Sequence, residues 1–242
     1  MPGLVGLLGR GALAGAAAGV LSGGVSWLLA EPVIDRAVSL EEAHHAGDSH
    51  GAEVFTRGQQ HVGLLVAAVA TGLAIGLLYA VAYGLIHRRD PGADPWRRAM
   101  TLAGSGFLGV SLLPFLRYPA NPPGVGDPAT IGLRTGAWLA AIVIGLAVVA
   151  AAWQVHGRLR TAGEPARHLA VAGVLVAGTA LLWLLPANPD PVDTPAEVIW
   201  PFRMLSLLAI ALLWAALGAG FGLAGVRAAR TEGAAAPSPT AA

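Results

Sequence analysis

The residues from Glu41 to His61 read EEAHHAGDSHGAEVFTRGQQH. They hold four of the chain's seven histidines, His44, His45, His50 and His61, together with Glu41, Glu42, Asp48 and Glu53. Imidazole nitrogens and carboxylate oxygens suit divalent first-row metals, and a short His-rich tract is a compositional sign of metal binding. His44 and His45 with His50, joined by His61 or a carboxylate, would supply such ligands without a rigid prior site. The spacing matches no fixed coordination geometry, so an ordinary solvated loop is the competing reading. The chain has no cysteine, which removes thiolate ligands and nucleophiles and leaves Co(II), Ni(II), Zn(II) and Cu(II) as ions that accept imidazole.

What must position this tract is membrane. With 55% hydrophobic and 12% charged residues and a mean hydropathy of +0.63, the composition leaves the soluble class. A helix needs roughly 20 residues to cross an apolar core about 30 Å thick, so five or six crossings with short loops would use the whole chain. The apolar runs fall at about residues 4–30, 62–86, 99–116, 136–155, 169–185 and 204–226. Together they form one polytopic domain, residues 1–228, with the His-rich loop at 31–61. Glu31-Pro32 opens that loop, where proline is expected to stop the first helix. The tail, 229–242, has nothing to bury and is expected to be disordered. The first run is too long for the core of a cleaved signal peptide and is expected to stay as a span. Its Gly11, Gly15, Gly19 and Gly23 recur every fourth position, a small-xxx-small face that permits close helix approach; Gly72 and Gly76 repeat the spacing in the second span.

All fifteen basic residues are arginine, and their placement sets an orientation. With a cytoplasmic N-terminus, the inner side carries Arg10, Arg88, Arg89, Arg97, Arg98, Arg158, Arg160, Arg167, Arg227 and Arg230, against Arg36, Arg57, Arg117, Arg134 and Arg203 outside. That bias fits the positive-inside rule and faces the His-rich loop outward. Trp27, Tyr118, Trp183 and Trp200 then fall near the outer interface, and Trp96 and Trp153 near the inner one, where amphipathic rings prefer to sit. The expected fold is all-α integral membrane: six transmembrane helices as three hairpins, with both termini cytoplasmic.

One repeat stands out. Pro119-Ala120-Asn121-Pro122, with Arg134 ahead of the fourth span, is echoed by Pro186-Ala187-Asn188-Pro189, with Arg203 ahead of the sixth. The third-fourth and fifth-sixth pairs read as two copies of one unit, and internal repeats are a known way to build a transporter. Asn121 and Asn188 read first as turn residues that satisfy local backbone groups and second as amide ligands for a passing ion. Arg134 and Arg203 either line an entrance and pair with loop acids or merely snorkel at helix ends.

Absent residues narrow the function. No Asp, Glu, Lys or His lies deep within a span, which disfavours a pump with its own midplane acid. There is no phosphate-binding Gly-x-x-x-x-Gly-Lys loop, no His-Glu-x-x-His pair and no Gly-x-Ser-x-Gly elbow, so the chain reads as no enzyme. A formal net charge of only +1 implies no nucleic-acid partner.

In this order the chain resembles the CbtA family of predicted cobalt transporter subunits. The resemblance covers about residues 3–228. It is carried by the Gly/Ala-rich first span running into Leu28-Leu29-Ala30-Glu31-Pro32, the His-bearing loop, the second span near His61, Asn121-Pro122-Pro123-Gly124, and Pro195-Ala196-Glu197 before the last span. It implies a bacterial inner-membrane protein of cobalamin-related cobalt uptake, working beside a small single-span, histidine-bearing CbtB-like partner. Carried over by residue, the metal site falls on His44, His45, His50 and His61, with Glu31 as a further carboxylate. The expected function is capture of a divalent cation, Co(II) before Ni(II), for uptake, with no tightly bound cofactor. The alternative is a membrane scaffold or assembly protein with no metal role.

Overall fold

The computed structural model describes residues 3–44, 57–87, 94–122, 125–192 and 194–235. Among them every regular element is helical. Helix α1 (Leu4–Val25) runs through a π-helical turn, Ser26–Ala30, into α2 (Glu31–His44), and α3 spans Arg57–His87. Helix α4 (Pro95–Gly106) likewise runs through a π-helical turn, Phe107–Leu112, into α5 (Leu113–Arg117). A 3₁₀ turn at Pro128–Thr130 leads into α6 (Ile131–Arg158), followed by α7 (Glu164–Leu182) and α8 (Ala196–Ala235). Among the described residues six stretches are long and apolar enough to cross a membrane: Leu4–Arg36, Gly58–His87, Pro95–Arg117, Pro128–Arg158, Glu164–Leu182 and Ala196–Thr231.

Proline does not stop the first helix, contrary to the expectation from Glu31-Pro32. A proline ring crowds the carbonyl four residues earlier. For Pro32 that residue is Leu28 and for Pro114 it is Val110, and each lies within a π-helical turn. The wider turn lets the helix continue past the ring. Pro201 also lies inside a helix, since α8 begins at Ala196 rather than after Arg203.

Residues divide into two compact units, Met1–Gly24 with Phe55–Gly104 and Ala211–Ala242, and Val25–Val54 with Ser105–Ile210. The first is built on small residues. The buried face of α1 is Gly11, Ala14, Gly15, Ala18, Gly19, Ser22 and Gly23, while Val5 and Leu13 are 84% and 77% exposed. This inversion of a soluble helix fits lipid, where leucine gains nothing by leaving the surface and close backbone packing supplies the attraction. A Cβ on Gly11 would meet the Gly76 carbonyl, one on Gly15 the Gly72 carbonyl, and one on Gly19 the Ala68 carbonyl. Numbers rise along α1 as they fall along α3, so the two run in opposite directions. In the same unit Tyr79 donates to the Ala99 carbonyl at 2.6 Å and meets the Phe221 ring edge-on at 5.1 Å, tying α3 to α4 and α8.

The second unit has a side-chain core of Leu113, Ala141, Val148 and Leu182, against which Leu108, Tyr118, Ile144, Val174, Leu175 and Leu185 pack. Gly145 on α6 abuts the backbone of Gly109, and Trp153 Nε1 donates to Ser105 Oγ at 3.1 Å. These contacts bring the C-terminal ends of α5 and α7 together, and with them the two loops that follow.

Candidate functional site: a cavity between two proline-rich loops

The loop after α5 contains Pro119-Ala120-Asn121-Pro122 and the loop after α7 contains Pro186-Ala187-Asn188-Pro189. Proline lacks the N–H a helix needs and biases the preceding residue to extended backbone, so both stretches leave the helix and expose carbonyls. Those carbonyls are satisfied across the pair. Arg117 donates from Nη2 to the Leu185 carbonyl at 2.8 Å, and the Tyr118 hydroxyl donates to the Pro186 carbonyl at 2.6 Å.

An arginine near the start of each following helix reaches into the other loop. Arg203, on α8, donates from Nη2 to Asn121 Oδ1 at 2.9 Å and from Nε to the Ala120 carbonyl at 3.3 Å. Arg134, on α6, places Nε 3.1 Å from Asp190 Oδ2, an ion pair off the hydrogen-bonding direction. It also donates from Nη2 to the Asp127 carbonyl at 3.1 Å. Asp190 is buried, its side chain only 4% exposed, and its two oxygens share the Thr130 hydroxyl at 3.0 and 2.9 Å. Asp127 caps the 3₁₀ turn by accepting from the Ala129 N–H at 2.8 Å, which fixes Thr130 under Asp190. Gly126 has φ +111°, and a Cβ there would strike the Arg134 guanidinium, so only glycine fits.

Between the loops lies a cavity of about 440 Å³, lined by Arg117, Arg134 and Arg203, by Asn121, Asn188 and Asp190, and on the apolar side by Leu133, Ala137, Trp138 and Val192. Arg134 therefore pairs with a loop acid, as one reading had it, whereas Arg203 ties the loops through neutral oxygens and meets no acid among the described residues. Asn188 keeps the turn role, its Oδ1 accepting from the Asp190 N–H at 3.4 Å. Asn121 does not, because its Oδ1 serves Arg203. Sequence reasoning passed over Arg117, Thr130 and Asp190; the repeat itself, with an acid following only the second Asn-Pro, was the available signal.

Neither Glu31 nor His61, of the sequence-predicted metal residues, lines this cavity. Glu31 begins α2 and His61 lies in α3, both half-buried. His44 ends α2, but its side chain, like all of His45 and His50, lies outside the described residues. Among the described residues no group of three or more His, Cys, Asp and Glu side chains could hold a metal ion.

Six membrane-length apolar helices among the described residues make this a multi-pass α-helical membrane protein. The chain belongs to the CbtA family, described as "Probable cobalt transporter subunit", which it matches over residues 5–225. No curated protein and no solved structure matches it.

Proposed function

We propose that this chain is the membrane subunit of a divalent-metal uptake system, Co(II) before Ni(II), and not an enzyme. Its outward-facing segment 31–61 captures the ion through His44, His45, His50 and His61 with Glu31. The observation that carries the reading is the family match over residues 5–225; the concentration of histidine between the first two spans supports the place of capture. The helices stand as three hairpins with both termini cytoplasmic, an orientation supported by the arginine bias. The membrane is the bacterial inner membrane, and uptake serves cobalamin-related metabolism. As a subunit the chain needs partners, and a small single-span, histidine-bearing CbtB-like protein would take the ion from, or pass it to, this loop.

Labelled Co(II) uptake by cells carrying the wild type or the His44/His45/His50→Ala variant tests capture directly. Uptake should fall in the variant at equal membrane expression; unchanged uptake removes the loop from the mechanism. A scaffold with no metal role would show neither uptake nor Co(II) binding in the wild type. Metal binding has a defined pH sign. A ligating imidazole must be neutral, and its reference pKa is about 6.5, so Co(II) affinity should be full near pH 7.5 and largely lost at pH 5. Equal binding at the two pH values would exclude histidine ligation.

A further inference from the structure

The cavity between the proline-rich loops has the wrong charge for a bare cation. Three guanidiniums and one carboxylate line it, a surplus of two positive charges. The carboxylate of Asp190 is already committed to Arg134 and to the Thr130 hydroxyl. The other two arginines have only neutral partners among the described residues. Arg203 holds a backbone carbonyl and an amide oxygen. Arg117 holds one carbonyl and lies 5.2 Å from the centre of the Tyr118 ring.

We propose that this cavity binds a small oxyanion, held by Arg117 and Arg203. The planar guanidinium fork matches a carboxylate or phosphate edge, with two parallel N–H donors meeting two oxygens. Asn121 and Asn188 add amide groups at the rim, and Trp138, Leu133 and Ala137 form a wall for the ligand's non-ionic part. About 440 Å³ suits a small molecule rather than a chain segment. The oxyanion is either free in solution, as an organic acid or inorganic phosphate, or the phosphate of an anionic lipid headgroup. A metal ion enters this cavity only when wrapped in such an anion. None of the lining residues belongs to the His-rich segment, and the proposal stands whether or not that segment binds metal.

The full chain in phosphatidylcholine nanodiscs, titrated calorimetrically with citrate and with inorganic phosphate in a buffer free of both, tests the soluble source. Saturable binding of either is expected, weakened about tenfold or more in Arg117→Gln and in Arg203→Gln, the loss of one charge-assisted hydrogen bond. For the lipid source, the measurement is phosphatidylglycerol retained through delipidation. Retention by the wild type and loss in both variants assigns the oxyanion to the headgroup. Asp190→Asn removes the opposing charge and should tighten binding about threefold or more, a gain that misfolding cannot imitate. Binding of neither anions nor phosphatidylglycerol, or Co(II) alone binding in an Arg117- and Arg203-dependent way, overturns the proposal. So does Asp190→Asn leaving anion affinity unchanged.

Discussion

The two Pro-Ala-Asn-Pro loops share a sequence and a place in the fold but not a charge balance. In the loop after α7 the residue following the motif is Asp190, and the arginine that reaches it, Arg134, is neutralised. In the loop after α5 that position is Pro123, and the arginine that reaches across, Arg203, finds an amide and a carbonyl instead. Arg117, just before the first motif, has Leu184 as its counterpart before the second. The two loops thus clasp each other, one side through an ion pair and the other through neutral oxygens that leave its arginine uncompensated. Repetition fixes where side chains meet; the few unmatched residues decide what the meeting does.

The contrast can be broken in a definite order. Arg134→Met should cost most, about 3 kcal/mol, because it strands the Asp190 carboxylate in a buried site; the midpoint of unfolding in detergent micelles reads the loss. Pairing it with Asp190→Leu should restore much of that stability, since two apolar groups replace a matched pair. Gly126→Ala comes next, at about 2 kcal/mol, from positive φ and the contact with Arg134. Arg203→Met should cost least, about 1 kcal/mol, because the partners it leaves are neutral oxygens. If Arg203→Met proves as damaging as Arg134→Met, charge compensation is not what separates the loops.

A second contrast lies between the loops and the small-residue seam of α1 and α3. The glycine spacing of the seam was legible before any coordinates. A four-residue spacing of glycine makes one flat helical face that permits close approach in lipid, but that Gly11, Gly15 and Gly19 meet Gly76, Gly72 and Ala68 was decided by the packing. The extents of the helices were less legible. Proline was given its usual weight as a stop, but a π-helical turn before Pro32 and before Pro114 absorbs the steric conflict. Whether a chain bulges or breaks depends on what it packs against.

The candidate site divides the same way. The repeat, its asparagines and its arginines were visible as a pattern, and pairing with loop acids was one reading of them. That Arg134 would choose Asp190, and that Arg203 would take Asn121 from the other copy, was not. Sequence determined the membrane class, the six apolar helices, the glycine-spaced faces and the family, because hydropathy, small-residue spacing and motif order are local properties carried along the chain. Tertiary structure alone decided the cross-loop clasp, the burial of Asp190 and the positive cavity. These join residues more than 50 positions apart, Arg134 to Asp190 and Arg203 to Asn121, and only the packing of α5, α6 and α7 brings the two loops within reach of a guanidinium.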